Sequence, residues 1–154
     1  MTEAAQPRNN PRSWHAAFPT PTASLENSSL APITPETLRE LILDQPRPDQ
    51  RDFLIVDVRR ADFEKAFVMG AVNLPAHSFY PTLPSLLPLL SRYRRVIFHC
   101  QSSNGRGPRC AGWYQDALND AGIKRNVSES MVLTGGIKAW VERFGRDEGL
   151  TVRL

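Results

Sequence analysis

The stretch VIFHCQSSNGRGPRCAG, residues 96–112, has the pattern of a strand, a loop and a helix in that order. Its apolar start ends in His99 and Cys100, and the pattern predicts a helix that starts near Arg106. In an open α/β sheet, ligands bind at the carboxyl ends of the strands. A helix N-terminus at that place offers unpaired N–H groups and the positive end of a dipole. The stretch therefore predicts an anion-binding loop on an α/β sheet.

The residues of this loop suit a tetrahedral oxyanion. Small or conformationally tolerant residues allow their N–H groups to converge on one anion. Arg106 adds a planar fork that matches two oxyanion oxygens. Cys100, close to these donors, is expected to react as a thiolate nucleophile, although a buried structural cysteine before an ordinary helix is the alternative. The predicted catalytic residues are Cys100 and Arg106. The predicted oxyanion-binding loop is Gln101, Ser102, Ser103, Asn104, Gly105 and Arg106.

The rest of the chain fits the same type of sheet. Short, bounded apolar runs predict buried strands, at residues 30–33, 53–58, 72–75, 95–99 and 131–133. Helical periodicity predicts helices between them, at residues 35–43, 107–121 and 137–144, the last with Ile137, Trp140, Val141 and Phe144 facing inward. Three prolines predict short, broken helices at 78–92. This alternation predicts an α/β domain with a central parallel sheet and helices on both faces.

The length of 154 residues fits one domain. Residues 1–29 are rich in proline and polar residues and are predicted to be a flexible or partly docked N-terminal tail, whereas residues 30–154 form the catalytic domain. The aromatic residues Trp14 and Phe18 interrupt this polar tail. The sequence leaves open whether they dock onto the domain.

The composition excludes several classes of protein. Two cysteines are too few for a disulfide scaffold and indicate a reducing compartment. His15 and His77 have no metal-ligand spacing, so we predict no metal. A net charge of +3 is too small to indicate a nucleic-acid partner. No apolar run approaches a membrane span or a secretory signal, so no membrane partner is expected. We predict a cytoplasmic protein, with a nuclear location left open.

The sequence HCQSSNGRGPR, residues 99–109, resembles the active-site loop of two enzyme groups built on the rhodanese fold. These groups are the cell-division-cycle type dual-specificity phosphatases and the yeast-type arsenate reductases. Further landmarks of the rhodanese fold follow in the right order, as LAPITPETLREL at 30–41, IVDVR at 55–59, GAVNLP at 70–75 and LTGG at 133–136. The segment WHAAFP at 14–19 is similar to fungal proteins labelled arsenate reductases. The resemblance implies a rhodanese-like domain.

The length of the loop separates sulfur transfer from oxyanion chemistry. Rhodanese-type sulfurtransferases generally have a loop one residue shorter, which suits a sulfur atom. The loop from Cys100 to Arg106 has seven residues, the size that encloses phosphate or arsenate in the families it resembles. A sulfurtransferase or a non-catalytic rhodanese-like binding module is therefore only the third hypothesis. The presence of both Cys100 and Arg106 argues against the binding module.

Arsenate reductase is the first hypothesis, and a protein tyrosine or dual-specificity phosphatase with a phosphocysteine intermediate is the second. Both reactions begin with thiolate attack on an oxyanion, but a phosphatase must also protonate its leaving group. The phosphatases that the sequence resembles have glutamates in or beside this loop. The resemblance places Gln101 and Gly105 at those positions, so the loop of this chain has no carboxylate. A carboxylate from elsewhere remains an open alternative, namely Asp57, Asp62, Glu64 or Glu129.

The resemblance also implies the partners of the reaction. The substrate is arsenate or a phosphate ester. For arsenate, glutathione is the expected co-substrate and attacks the enzyme-bound arsenic, and glutaredoxin completes the reduction. No bound cofactor is expected.

Four further residues near the loop are given structural roles. His99 is expected to point away from the loop and support it by a hydrogen bond. Asp57, at the end of its strand, is expected to bind a loop N–H or an arginine such as Arg59. Arg109 is expected to face solvent rather than substrate. Cys110 lies on the apolar stripe of its helix and is expected to be packed there rather than to act as a resolving thiol.

Overall fold

The structure is a computed structural model that describes residues 14–154; residues 1–13 of the predicted tail lie outside this range. Five parallel strands form the main sheet in the order β1-β6-β5-β2-β4. The strands are β1 Ala31–Ile33, β2 Phe53–Asp57, β4 Val72–Asn73, β5 Arg95–His99 and β6 Glu129–Leu133. The predicted central parallel sheet is therefore confirmed.

The register of the sheet places polar residues together where the strands end. Asp57 of β2 pairs with His99 of β5 on one side and with Asn73 of β4 on the other. Carboxyl ends of parallel strands lie at one edge of a sheet, so these three residues share that edge. The amide of Asn73 donates hydrogen bonds to the carbonyls of Asp57, at 2.9 Å, and Arg59, at 2.8 Å. The segment GAVNLP thus fixes the chain after β2.

Helices cover both faces of the sheet, as predicted. Helices α2, Ala76–Leu90, and α3, Arg106–Asp120, pack on one face; helices α1, Pro35–Asp44, and α4, Gly136–Phe144, pack on the other. Thr34 caps α1 by accepting a hydrogen bond from the Thr37 N–H at 3.1 Å. No helix within residues 14–154 is long and apolar enough to cross a membrane.

Helix α2 corrects one prediction. Residues 78–92 were expected to form short, broken helices, but α2 runs unbroken through Pro81, Pro84 and Pro88. All three prolines are on the exposed side of the helix, where carbonyls that lose an N–H partner can bind water. The Thr82 hydroxyl also donates to the Ser78 carbonyl at 2.7 Å. Prolines spaced along one solvent-facing side therefore do not end this helix.

Two other features differ from the prediction. Val141 was expected to face inward, but its side chain is 38% exposed, whereas Trp140 is fully buried. A second sheet was not predicted: β3, Ala66–Val68, pairs antiparallel with β7, Thr151–Arg153. These strands have three residues each, too few to show a periodicity in the sequence.

Residues 14–29, called the N-terminal strap below, contain no helix or strand and pack on α2 and α3. The Trp113 indole N–H donates to the Pro19 carbonyl at 2.8 Å. The Asp116 carboxylate accepts hydrogen bonds from the backbone N–H groups of Thr22 and Ala23, at 2.7 and 3.0 Å. A Cβ at Gly112 would lie 2.5 Å from the Ala23 carbonyl oxygen, so α3 needs glycine there. These contacts hold the strap against the domain.

Candidate active site

Cys100 follows directly on β5, and its side chain faces the first turn of α3. The residue is only 3% exposed, and the Gly107 N–H donates to its sulfur at 3.2 Å. An N–H from a helix N-terminus stabilises negative charge on sulfur. The strand therefore ends with its thiol in the position that the sequence predicts for a nucleophile.

The loop after Cys100 keeps its N–H groups available. Within residues 14–154, the backbone N–H groups of residues 101–105 donate to no other backbone group. Ser103, in the middle of the loop, has a left-handed backbone with φ of 60°, and its buried hydroxyl has no hydrogen-bond partner in the described chain. Unpaired N–H groups in a tight turn form a concave site for an anion. The geometry therefore suits the predicted oxyanion loop.

The carbonyls at the start of the loop are bound by α4. The N–H groups of Ile137 and Lys138 donate to the carbonyls of Cys100 and Gln101, each at 3.0 Å. Gly136 has φ of +61°, and a Cβ there would lie 2.6 Å from both of these carbonyl oxygens. Only glycine tolerates this combination of backbone angle and close approach. The segment LTGG thus anchors the loop from the other face of the sheet.

Arg106 binds Asp62, one of the four carboxylates that the sequence left open as alternatives. Its two Nη groups donate to the two carboxylate oxygens of Asp62, at 2.8 and 2.6 Å. The hydrogen bond from Arg106 lowers the pKa of Asp62 to about 2, and the same bond raises the pKa of Arg106. Both groups are therefore charged at neutral pH. This end-on contact leaves the Nε side of the guanidinium free to meet an oxyanion.

A buried ion pair lies beneath the loop. Arg59 donates to the Asp57 carboxylate through Nε and through Nη2, the latter at 2.7 Å, and the two side chains are 3% and 0% exposed. Arg59 also donates to the carbonyls of Asp62, at 3.1 Å, and Ala66, at 2.8 Å. The sequence left open a loop N–H or an arginine as the partner of Asp57, and the structure shows both, because the backbone N–H of Arg59 also donates to the Asp57 carboxylate at 3.0 Å. Arg59 in turn shapes the segment that presents Asp62 to Arg106.

His99 is fully buried and does not line the pocket. Its Nδ1 lies 3.1 Å from the Cys100 carbonyl oxygen, and since a carbonyl only accepts, Nδ1 carries the proton. Its Nε2 is 3.7 Å from the Asp57 carboxylate. Burial lowers the pKa of His99, and the Asp57 charge opposes this shift. His99 thus supports the loop backbone as a neutral side chain.

The pocket at the loop has a volume of about 390 Å³. Cys100 and four loop residues line one part of it. Trp14, His15 and Arg109, called the strap-side wall below, line the rest. The expectation that Arg109 faces solvent is therefore wrong, because the strap covers the first turn of α3. The place of Trp14 and His15 in the pocket was not predicted. Their signals in the sequence were an aromatic cluster within a polar tail and the similarity of WHAAFP to fungal proteins labelled arsenate reductases.

Two remaining candidates lie away from the thiol. Cys110 is fully buried in the core between α3 and the sheet, and burial raises the pKa of its thiol well above the usual value. It is therefore a packed cysteine. Glu129 opposes Arg95 at the start of β5 and pairs with Arg94 and Arg125, so it lies at the opposite edge of the sheet from Cys100.

The chain is similar to a known domain family and to individual proteins of known name. The rhodanese-like domain family matches residues 34–143. The dual specificity phosphatase ibp1 of Schizosaccharomyces pombe is 26% identical over 137 residues, which are 80% of this chain and 96% of the relative. Arsenical-resistance protein 2 of Saccharomyces cerevisiae is 34% identical over 116 residues, which are 70% of this chain and 85% of the relative.

One solved structure shows the same fold. It is Ygr203w of Saccharomyces cerevisiae, described as a homolog of single-domain rhodanese and of the Cdc25 phosphatase catalytic domain. Its TM-score is 0.67 at 24% identity, and the match covers 81% of this chain and 88% of that chain. The α/β architecture is therefore that of a rhodanese-like fold.

Proposed function

This chain belongs to the rhodanese-like domain family, and from this premise we propose that it is a cysteine-dependent arsenate reductase. The similarity to arsenical-resistance protein 2 supports an arsenic substrate. The loop supports the coarser part of the proposal, a thiolate enzyme acting on a tetrahedral oxyanion, because it combines a buried thiol, free N–H groups and an arginine. A cytoplasmic location would supply the reduced glutathione that the reaction needs.

The state of Asp62 is the observation that favours arsenate over phosphate esters. A phosphatase needs a protonated acid near its leaving group. The loop itself has no carboxylate, and Asp62, the carboxylate bound to Arg106, has a pKa of about 2. At neutral pH it holds no proton to donate. Arsenate avoids this requirement, because the group that leaves is hydroxide or water rather than an alkoxide.

The first step is a substitution at arsenic. The N–H groups of residues 101–105 and the Nε side of Arg106 hold the arsenate oxygens. The Cys100 sulfur attacks arsenic, and a hydroxyl group of arsenate takes up a proton and leaves as water. A sulfur–arsenic bond replaces an oxygen–arsenic bond, so arsenic remains pentavalent.

Reduction follows through two further thiols. Glutathione displaces a second hydroxyl group as water, so that arsenic carries both sulfurs. A glutaredoxin thiolate then attacks the glutathione sulfur and forms a mixed disulfide. The electron pair of the broken sulfur–arsenic bond passes to arsenic, which becomes trivalent. Water hydrolyses the bond to Cys100 and releases arsenite with the thiol restored. Glutathione is thus co-substrate, glutaredoxin is partner, and no bound cofactor takes part.

A phosphatase is the second candidate, and the Asp62–Arg106 contact also gives it a specific basis. A phosphate dianion that reaches Arg106 adds negative charge beside Asp62, which raises the pKa of that carboxyl and favours its protonated form. Asp62 would then be a general acid outside the loop. The similarity to a relative named as a dual specificity phosphatase agrees with this alternative.

Side-by-side assays test the two candidates. Purified protein is assayed for arsenate-dependent NADPH oxidation, coupled through glutathione and glutaredoxin, and for hydrolysis of aryl phosphates with leaving groups of different pKa. We expect arsenate turnover, together with phosphate hydrolysis that falls steeply as the leaving group becomes more basic. Flat hydrolysis rates across the series, with no arsenate-dependent oxidation, would make the protein a phosphatase.

The Cys100→Ser variant controls for the nucleophile. We expect both activities to be abolished, because no adjacent base activates the hydroxyl. Cys110→Ala is the matched control and keeps the activity of the unaltered protein. Residual turnover of Cys100→Ser above about 1% would contradict the thiolate mechanism.

A further inference from the structure

We propose that the strap-side wall of the pocket, formed by Trp14, His15 and Arg109, binds a carboxylate of the glutathione co-substrate. This inference rests on the proposed function, because it assigns a place to the second thiol of that reaction. It also gives the N-terminal strap a role in choosing the co-substrate.

The pocket has room for a second reactant beside the oxyanion. The pocket of about 390 Å³ extends from Cys100 and the loop to the strap. A tetrahedral oxyanion held by the loop N–H groups and Arg106 occupies only the loop part. The strap-side wall faces the remaining volume, and the proposed reaction places the arsenic bound to Cys100 in this same pocket. A second reactant that must reach this arsenic therefore contacts the wall.

The strap-side wall has the charge to bind a carboxylate. Asp62 neutralises Arg106, but no carboxylate among residues 14–154 forms a salt bridge with Arg109. Arg109 lies in the first turn of α3, where the helix dipole also favours an anion. Burial and the charge of Arg109 lower the pKa of His15, so His15 is neutral and can donate a hydrogen bond. Within residues 14–154, the wall thus presents one cation without a carboxylate partner beside a neutral donor.

The strap-side wall is held in place by aromatic packing. The Trp14 ring lies between His77, at 5.1 Å between ring centroids, and Trp113, at 5.9 Å. It also meets the ring of His15 edge-on at 5.2 Å. The bond from Trp113 to the Pro19 carbonyl fixes the next turn of the strap. A wall held in place by its own packing loses little freedom when a ligand binds.

These features select a thiol that carries carboxylates at a distance from its sulfur. Glutathione has two carboxylates, one at each end of the peptide, with its sulfur between them, and Arg109 lines the same pocket as Cys100. A thiol without a negative charge gains nothing from this wall. The expected recognition is a charge-assisted hydrogen bond with the guanidinium, which can be bidentate.

The test compares two reductants in the Arg109→Gln variant. We expect the KM for glutathione to rise at least about tenfold, the equivalent of one hydrogen bond to a charged group. The kcat/KM for 2-mercaptoethanol, an uncharged thiol, should change much less, so the preference of the enzyme for glutathione over this thiol should fall about tenfold. Arg109→Lys keeps the charge and should recover part of the loss. Arg92→Gln, an exposed arginine that precedes β5 at the other edge of the sheet, is the matched control.

Equilibrium binding separates this inference from the proposed function. S-methylglutathione is titrated into Cys100→Ser protein, and into the same protein carrying Arg109→Gln. We expect binding that the second substitution weakens, even if arsenate turnover is absent. No binding in either protein, binding that does not depend on Arg109, or equal losses with both reductants would overturn the proposal.

Discussion

Two aspartate–arginine pairs lie near the loop, and they differ in burial. Asp57 and Arg59 lie beneath the loop with side chains 0% and 3% exposed, whereas Asp62 and Arg106 lie at the pocket with 37% and 23% exposed. A buried pair must stay together, because a single charge left inside is costly. A pair at the surface costs little to separate. The first pair therefore stabilises the fold, whereas the second leaves Arg106 able to contact a ligand as well as Asp62.

The two pairs are also connected. Arg59 holds the carbonyl of Asp62, so the buried pair sets the position from which Asp62 reaches Arg106. The comparison predicts that substitutions beneath the loop change stability and that substitutions at the pocket change binding and rate.

The largest effect is expected for Asp57→Asn. This change leaves the buried Arg59 charge without its partner, so the free energy of unfolding should fall by about 3–5 kcal/mol. The melting temperature should fall by about 10 °C. Urea and thermal unfolding measure both quantities. Asp62→Asn is the matched control, with an expected loss below about 1 kcal/mol. Equal losses in the two variants would remove the distinction between the pairs.

Arg106→Lys should have a large effect on rate alone. Lysine keeps the charge but loses the planar fork, so it cannot bind Asp62 and an oxyanion together. We expect arsenate turnover to fall by about 10²–10³-fold, while the thermal unfolding midpoint stays near that of the unaltered protein. Steady-state kinetics and a thermal scan on the same preparations measure this. A near-normal rate would mean that Arg106 does not contact the substrate.

Asp62→Asn should strengthen oxyanion binding. Removing the carboxylate leaves Arg106 unneutralised and takes away a charge that repels the ligand, so the Kd for phosphate should fall about tenfold. In the folded protein the pKa of Asp62 is about 2, below its unfolded value, so its carboxylate is charged at every pH above about 5. The ratio of the two Kd values should therefore stay constant between about pH 5 and 9. Calorimetric titration with phosphate measures it, and weaker binding by the variant would show that Asp62 mainly orients Arg106.

The smallest effect is expected for Cys110→Ala, a change beneath the loop that removes only a packed sulfur. We expect a loss of about 1–2 kcal/mol in stability and an unchanged rate. In the unaltered protein, iodoacetamide at neutral pH should modify Cys100 first, phosphate should protect Cys100, and Cys110 should stay slow because burial raises its pKa. Peptide mapping by mass spectrometry identifies the modified residue. Modification of Cys110 first would reverse the assignment of the two cysteines.

Much of the fold could be predicted because its signals are local. Apolar runs such as FLIVDV, a proline after the capping Thr34 and the paired glycines at the start of α4 each indicate the local backbone conformation where they occur. The same holds for the order of strand, cysteine, loop and helix around Cys100. The unbroken α2 was missed because the effect of a proline depends on whether its side of the helix is exposed, which the local sequence does not state.

The missed parts of the site depend on contacts between distant segments. The Asp62–Arg106 contact joins residues 44 positions apart, and nothing near Asp62 distinguishes it from Asp57 or Glu64 as a partner. The same reason applies to Arg109, whose exposure depends on where Trp14 and His15 lie. Sequence periodicity describes one element at a time, whereas these contacts arise only when elements pack.

The anchoring of the loop by α4 has a consequence for the order of events during synthesis. The carbonyls of Cys100 and Gln101 are bound only when Ile137 and Lys138 are present, and β1 gains its sheet partner only when β6 has been made. Contacts between segments far apart in sequence are slow to form, and a domain generally folds as a unit. The N-terminal segments therefore complete their packing only when the later segments have been made. A nascent chain that ends before Gly136 therefore has the cysteine and the arginine but not the fixed loop. The oxyanion site is completed only after Ile137 and Lys138 have left the ribosome.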